Sequence, residues 1–439
     1  MLNSLISLSS IEDLGAYSIV IGSSLIIILS YFANVLAKRT NIPSVLVLIA
    51  MGIGIRQLMD TLHMGEIPKE DLILELLGTV GLIFIILEAA LDLKLSKEKL
   101  PLILKSATVA LIVLACSSLG IAYFLQEVLL FEGISALIYA IPLSIMSSAI
   151  IIPSVSSLSE EKKEFMIYES TFSDIWGIMA FYLVIANSDA SSTSDVAMSI
   201  GKTMGFTLLI AIIVSYLLVY ILQKINSSVK LFLSIAVLLL IYSIQKLLHL
   251  SPLILILIFG LMLNNYKVFF PKIFKNKDGE SWFGSLLDED KMKGLSHDFH
   301  ILTLESAFVI RTFFFVMFGA TVVLSSIMDL EVVFYGLSIS LILYVARLVW
   351  LFIFRVKEPM SLLYIAPRGL ITVLLFFQLQ TKKEYVDFKE MADGKFDPAI
   401  LLVVILVTCL VMTFSLIRQG KASSSNDVSI AGDASDSAE

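Results

Sequence analysis

Charged residues are scarce in this sequence. Asp, Glu, Lys and Arg fill 16% of its 439 positions, where a soluble domain carries about 25%. That shortage excludes two or three water-soluble domains, whose surfaces need such charge. Cysteine occurs only at Cys116 and Cys409, both within apolar runs. Two such thiols give no disulfide framework and read as small buried hydrophobes. Histidine occurs four times, at His63, His249, His297 and His300, with no HExxH and no zinc-ligand spacing. No strongly basic patch is present and the formal net charge is −7, so a nucleic-acid partner is not expected. The first apolar run ends in Ala37-Lys38-Arg39-Thr40 rather than a small-residue cleavage site, which argues against a removable signal peptide.

What is abundant is apolar side chain, at 58% of the residues, with a mean hydropathy of +0.92. A spanning helix needs about 20 such residues. Thirteen runs are long enough: 15–36, 42–60, 72–93, 101–125, 134–157, 163–187, 197–224, 229–247, 250–265, 299–327, 332–355, 361–380 and 397–418. Each is read as a helix, because only a helix satisfies its own backbone in lipid without partner strands. The expectation is an all-α polytopic membrane protein with about 13 transmembrane helices. Residues 1–14 form an extracellular N-terminus, 15–418 the transmembrane domain, 266–298 a cytoplasmic connector, and 419–439 a disordered cytoplasmic tail. With the N-terminus outside, twenty of the 31 Lys and Arg residues fall on the cytoplasmic side, eight fall outside and three lie within spans. That bias orients the chain N-terminus out and C-terminus in, and the expected location is the cell (inner) membrane.

The charges left inside spans are the informative ones, since each costs roughly 2.5–3.5 kcal/mol or more at mid-bilayer. They are Glu88 and Asp92 in span 3, Glu169 and Asp174 in span 6, Glu305 and Arg311 in span 10, Arg347 in span 11 and Arg368 in span 12. At helical spacing Ser170, Ser173 and Asp174 share an arc of about 100°, with Glu169 at its edge. Two hydroxyls and a carboxylate make a hard-oxygen site for a small cation or a proton. A structural polar network between helices is the plainer alternative. Glu169 reads as an ionised partner of an arginine. In span 5, serines including Ser147 and Ser148 surround Pro153, which removes a backbone bond. Span 12 carries Pro367-Arg368-Gly369. Two interrupted helices in opposite halves point to a midplane site in a transporter. Arg311 is expected to pair with Glu305 or to snorkel. Asp92 is expected beside Lys94 at the interface. Arg368 either biases the cation pathway or stabilises the crossed helices, and His297 and His300 fall in a solvated loop.

Glu169-Ser170-Thr171-Phe172-Ser173-Asp174 resembles the Glu-Ser-x-x-Asn-Asp motif of the monovalent cation:proton antiporters, or sodium/hydrogen exchangers, with Ser173 in place of Asn. Ala346-Arg347, Pro367-Arg368-Gly369, Phe313-Phe314-Phe315 before Phe318-Gly319, and Leu87-Glu88 to Leu91-Asp92 are similar to further segments of that family. The likeness covers residues 15–418. One departure stands out: the family's Thr-Asp-Pro in the broken fifth helix is matched here by Ser147-Ser148-Ala149.

The resemblance implies two inverted repeats with crossed broken helices at spans 5 and 12, and a Glu169–Arg347 ion pair beside the site. It also implies a homodimer in which spans 4–6 and 11–13 move against a scaffold. The expected activity is secondary antiport of a monovalent cation (sodium, or potassium or lithium) for a proton at Asp174. Ser170, Ser173, Ser147 and Ser148 contribute at that site, and Pro153, Pro367, Arg368 and Gly369 mark the breaks. Neither a cofactor nor a resident metal is expected, only the transported cation and proton. Ser173 adds no charge and Glu169 is neutralised by Arg347, so one titratable site implies electroneutral 1:1 exchange. The competing readings are an organic-anion transporter on a similar broken-helix fold and an ion channel. An intramembrane protease, and with it an enzyme, is disfavoured, since neither Gly-x-Gly-Asp nor HExxH is present.

Overall fold

In the computed structural model, residues 16–40, 42–61, 70–96, 98–155, 158–186, 193–225, 230–247, 252–269, 289–321, 329–381 and 396–436 are described. Among them every regular element is a helix. They are α1 (Ala16–Thr40), α2 (Ser44–Thr61), α3 (Glu70–Asp92), α4 (Leu100–Leu129), α5 (Gly133–Ser144), α6 (Ser148–Ser154), α7 (Glu160–Ala186) and α8 (Thr193–Lys224). There follow α9 (Lys230–Leu247), α10 (Pro252–Asn264), α11 (Tyr266–Phe269), α12 (Glu289–Thr321), α13 (Leu330–Ile353), α14 (Pro359–Leu363), α15 (Leu370–Thr381) and α16 (Ala399–Asp436). Among the described residues seven stretches are long and apolar enough to cross a membrane, and four shorter apolar helices accompany them. The two expected spans left over are α3 and α7, which hold the internal carboxylates Glu88, Asp92, Glu169 and Asp174. All thirteen expected spans therefore have helical counterparts, two of them interrupted: α5 with α6, and α14 with α15.

Boundaries differ at two places. The helix expected from residue 299 starts at Glu289, so the connector is shorter than 266–298 and residues 270–288 of it lie outside the described residues. His297 and His300 are consequently helical rather than in a loop. The last helix runs to Asp436 through the stretch expected as a disordered tail, with no proline after Pro398 to stop it. The expected N-terminal segment 1–14 also lies outside the described residues.

The helices sort into two groups by packing. The first group is α1, α2, α3, α8, α9, α10 and α12, in which α12 lies against α2 and α3, and α10 against α3 and α8. The second is α4 to α7 and α13 to α16, in which α4 lies against α5, α7 and α13, and α13 against α16. The groups meet mainly where α15 touches α3. Glycine sets the closest approach in the first group. A Cβ on Gly52 of α2 would sit 2.1 Å from the Val316 carbonyl oxygen of α12. Outward-facing Leu, Ile and Phe side chains of α1, α4, α8, α9 and α13 remain exposed, as helices facing hydrocarbon require.

Candidate functional site at the crossed helix breaks

The first break falls at Ile145–Ser147, where Ile145 (φ −71°, ψ 127°) and Ser147 (φ −79°, ψ 109°) are extended. It does not fall at Pro153, which lies inside α6. α6 begins where the Ser147 carbonyl accepts from Ile150 and Ile151 N–H at 3.3 and 3.2 Å. The second break spans residues 364–369, between α14 and α15, and includes Pro367, Arg368 and Gly369 as expected. The two breaks touch: Ser147 N–H donates to the Pro367 carbonyl at 3.0 Å. A Cβ on Gly369 would lie 2.7 Å from Ser147 Oγ and 2.7 Å from Ile150 Cδ1. Only glycine permits that approach.

Free carbonyls at the α5 terminus find side-chain donors across the crossing. Arg368 Nε donates to the Leu143 carbonyl at 2.9 Å and Nη1 to the Ala366 carbonyl at 2.7 Å. Thr372 Oγ1 donates to the Pro142 carbonyl at 2.8 Å. Arg368 thus sits at the negative end of the α5 dipole and fastens the crossed helices together. Its own N–H donates to Thr408 Oγ1 at 3.0 Å. Thr372 and Thr408 escaped the reading of the sequence. The only local signal for the first is its place three residues after Gly369 in the Pro/Gly interruption of span 12.

α7 presents its motif to the first break. Ser173 Oγ accepts from Met146 N–H at 3.0 Å. Asp174 Oδ2 accepts from Ser148 N–H at 3.2 Å and also from the Ser148 hydroxyl. Asp174 is 3% exposed, and its Oδ1 is buried with no hydrogen-bond partner among the described residues. Ser170, although fully buried, turns back within α7 and donates to the Ile167 carbonyl at 3.2 Å. Asp174, Ser173 and Ser148 are therefore brought together, Ser147 stands at the crossing, and the Ser170 hydroxyl is engaged elsewhere. Gly177 allows α7 this proximity, since a Cβ there would lie 2.2 Å from Ile145 Cγ1.

The expected ion pair forms one turn away. Arg347 Nη1 lies 2.5 Å from Glu169 Oε1 and Nη2 lies 2.9 Å from Oε2. Nη2 also donates to the Leu362 carbonyl at 3.2 Å, so one guanidinium joins α13, α7 and α14.

A cavity of about 550 Å³ reaches this region, with Glu88, Asp92, Ser148, Pro153, Glu305 and Arg311 in its wall. Within it Arg311 Nη2 lies 3.3 Å from Glu88 Oε1, so its partner is Glu88 rather than Glu305. Asp92 Oδ1 faces His300 Nε2 at 3.6 Å, across from α12, rather than pairing with its sequence neighbour Lys94. Ser148 lines the cavity and bonds Asp174 behind it. On its other side Asp174 borders a void of only about 20 Å³ walled by Ile85, Ile86, Ile178, Leu257 and Ile371. The carboxylate thus stands between a polar vestibule and an apolar seal.

Residues 24–419 match the sequence profile of the family described as sodium/hydrogen exchanger, transmembrane. No curated protein sequence matches the chain. The solved structures that share its fold include two of one antiporter. One is the sodium proton antiporter MjNhaP1 from Methanocaldococcus jannaschii at pH 8, with a TM-score of 0.65 and 17% identity over 92% of this chain and 96% of that one. The other is an electron-microscopy map of the same antiporter, with a TM-score of 0.63 and 19% identity over 95% and 98%. Thirteen helical spans, the charged motif in α7 and a profile match over nearly the whole length agree: this chain belongs to the sodium/hydrogen exchanger family, whose members are membrane transporters and not enzymes.

Proposed function

We propose that the chain is a secondary antiporter that exchanges a monovalent cation, sodium foremost, for a proton, with Asp174 as the shared site. The observation that carries this reading is the carboxylate itself: buried, half satisfied by Ser148, with its other oxygen unpartnered where two broken helices cross. A bare charge there is expensive to carry through hydrocarbon. Either a cation or a proton removes that cost, and the site-bearing group crosses only when loaded. Exchange becomes obligatory from that rule alone.

The second helix group, α4 to α7 with α13 to α16, contains every residue of the crossing and moves as a unit against the first. The sparse contact between the groups supports that division. With the N-terminus outside and the C-terminus in the cytoplasm of the cell membrane, the 550 Å³ cavity opens inward, so the site is reached from the cytoplasm. Its carboxylates Glu88, Asp92 and Glu305 outnumber Arg311 and attract cations to it. One exchangeable carboxylate supports electroneutral 1:1 exchange, since Glu169 is neutralised by Arg347. The first group, with its exposed α1 and α8 faces, supplies the surface for a homodimer.

Proteoliposomes carrying an internal pH dye test this reading. Added sodium, potassium or lithium should dissipate an imposed pH gradient, and Asp174→Asn should abolish the response while the protein remains in the membrane. Cation flux that persists without any opposing proton gradient would identify a channel instead.

A further inference from the structure

Exchange at Asp174 makes no use of a charge pattern at the rim of the second helix group. Around the start of α4, the start of α7 and the turn between α13 and α14, four lysines each face a carboxylate. Lys99 meets Glu164, Lys162 Nζ lies 2.5 Å from Glu358, Lys163 Nζ lies 3.4 Å from Glu160, and Lys357 Nζ lies 2.8 Å from Glu161. Lys105 and Arg355 do not follow this pattern. Among the described residues neither cation has a carboxylate within ion-pair distance. Lys105 Nζ instead donates to the Arg355 backbone carbonyl at 3.2 Å, which brings the Lys105 ammonium to the residue that carries the second cation, just past the end of α13. Arg355 adopts φ 46°, a conformation glycine takes without strain, so an arginine there keeps a guanidinium at the rim at some conformational cost.

Next to this pair the surface becomes apolar. Leu104 of α4 is 58% exposed, and Phe352 and Ile353 of α13 are 52% and 57% exposed. Bare cations bordering an exposed apolar strip are what the boundary between headgroups and hydrocarbon calls for. Phosphate oxygens suit both partners, the planar fork of arginine and the point charge of lysine. We propose that Lys105 and Arg355 form a headgroup site for an anionic phospholipid, with its phosphate between the two cations and its acyl chains along Leu104, Phe352 and Ile353. A zwitterionic lipid fits less well, because its own ammonium group opposes the two cations. The site lies on the group proposed to move, so it would tie that group to anionic lipid without touching the exchange chemistry.

The test uses the purified full-length protein in detergent, followed by native mass spectrometry and thermal unfolding. Phosphatidylglycerol, phosphatidylcholine and inorganic phosphate are titrated separately. Phosphatidylglycerol adducts should survive collision energies that strip phosphatidylcholine and should raise Tm, while inorganic phosphate at equal concentration should do neither. Lys105→Gln with Arg355→Gln should erase the preference, and Lys357→Gln should retain it. If the double variant does not fold, Arg355→Gln alone carries the comparison, since that side chain is exposed. Equal retention of the two lipids, a preference unchanged in the folded variant, or inorganic phosphate matching phosphatidylglycerol would each overturn the proposal. None of these results depends on Asp174, so the exchange reading stands or falls separately.

Discussion

Arg347 holds Glu169 through both carboxylate oxygens, at 2.5 and 2.9 Å, with both side chains almost wholly buried. The same guanidinium reaches the Leu362 carbonyl at 3.2 Å. Removing one partner leaves an uncompensated buried charge, which costs about 3–5 kcal/mol. Glu169→Ala and Arg347→Ala should each lower Tm sharply and reduce the yield of folded protein. Exchanging the two residues should restore part of the loss but not all of it, because a glutamate at 347 cannot donate to Leu362. Thermal unfolding of the four proteins in one detergent checks this. Single variants as stable as the parent would refute the clamp.

Close contact between α7 and the first break makes a second prediction. A Cβ on Gly177 would lie 2.2 and 2.5 Å from Ile145 Cγ1 and Cδ1. Overpacking of this kind costs roughly 1–3 kcal/mol. Gly177→Ala should therefore destabilise the protein and displace Met146 N–H from Ser173. Adding Ile145→Ala removes both clashing atoms and should recover most of the exchange rate. A double variant no better than Gly177→Ala alone would mean that the clash is not what limits it.

Much of this arrangement was legible in the sequence because it follows from local pattern. Thirteen apolar runs gave the thirteen helical spans, and helical spacing put Ser173 and Asp174 on one face. What was not legible depends on partners far along the chain. The break at Ile145–Ser147 carries no helix-breaking residue of its own, since Ile and Met suit a helix. It is held open from outside, by Pro367, by Ser173 and by the donors of Arg368 and Thr372. Pro153 drew attention because proline breaks helices, yet α6 accommodates it. Proximity in sequence offers Arg311 only Glu305 or the interface, whereas its partner Glu88 lies 223 positions away on α3. Ser170 shares the arc of Asp174, but its hydroxyl finds the Ile167 carbonyl instead. Serine inside a helix commonly bonds back to its own backbone.

Charge count at the site sets the response to membrane potential. Among the described residues Asp174 is the one carboxylate bonded to the first break, through Ser148. Electroneutral exchange should proceed at the same rate whether proteoliposomes are clamped at zero or at a large potential with potassium and valinomycin. Ser148→Asp introduces a second carboxylate beside Asp174, and like charges this close resist joint ionisation. That variant should become sensitive to potential if it transports at all. Potential-dependent exchange in the unaltered protein would exclude the 1:1 stoichiometry.

Arg368 gives the last prediction. Its guanidinium is buried, has no bonded carboxylate among the described residues, and donates to the Leu143 and Ala366 carbonyls at 2.9 and 2.7 Å. Each buried acceptor left without its donor costs about 1–3 kcal/mol, and the α5 dipole loses its counter-charge as well. Arg368→Ala should thus weaken the protein more than Thr372→Val, which removes one of the two donors to the Pro142 carbonyl and leaves Ile145 N–H at 3.4 Å. Arg368→Lys restores charge without the planar fork and cannot reach both carbonyls at once. It should recover thermal stability in part and exchange less well, because the crossing that places Ser148 against Asp174 stays slack. Tm and sodium-driven exchange, measured together on the three variants, separate these effects. If Arg368→Lys matched the parent in both, the fork geometry would be irrelevant and only the charge would matter.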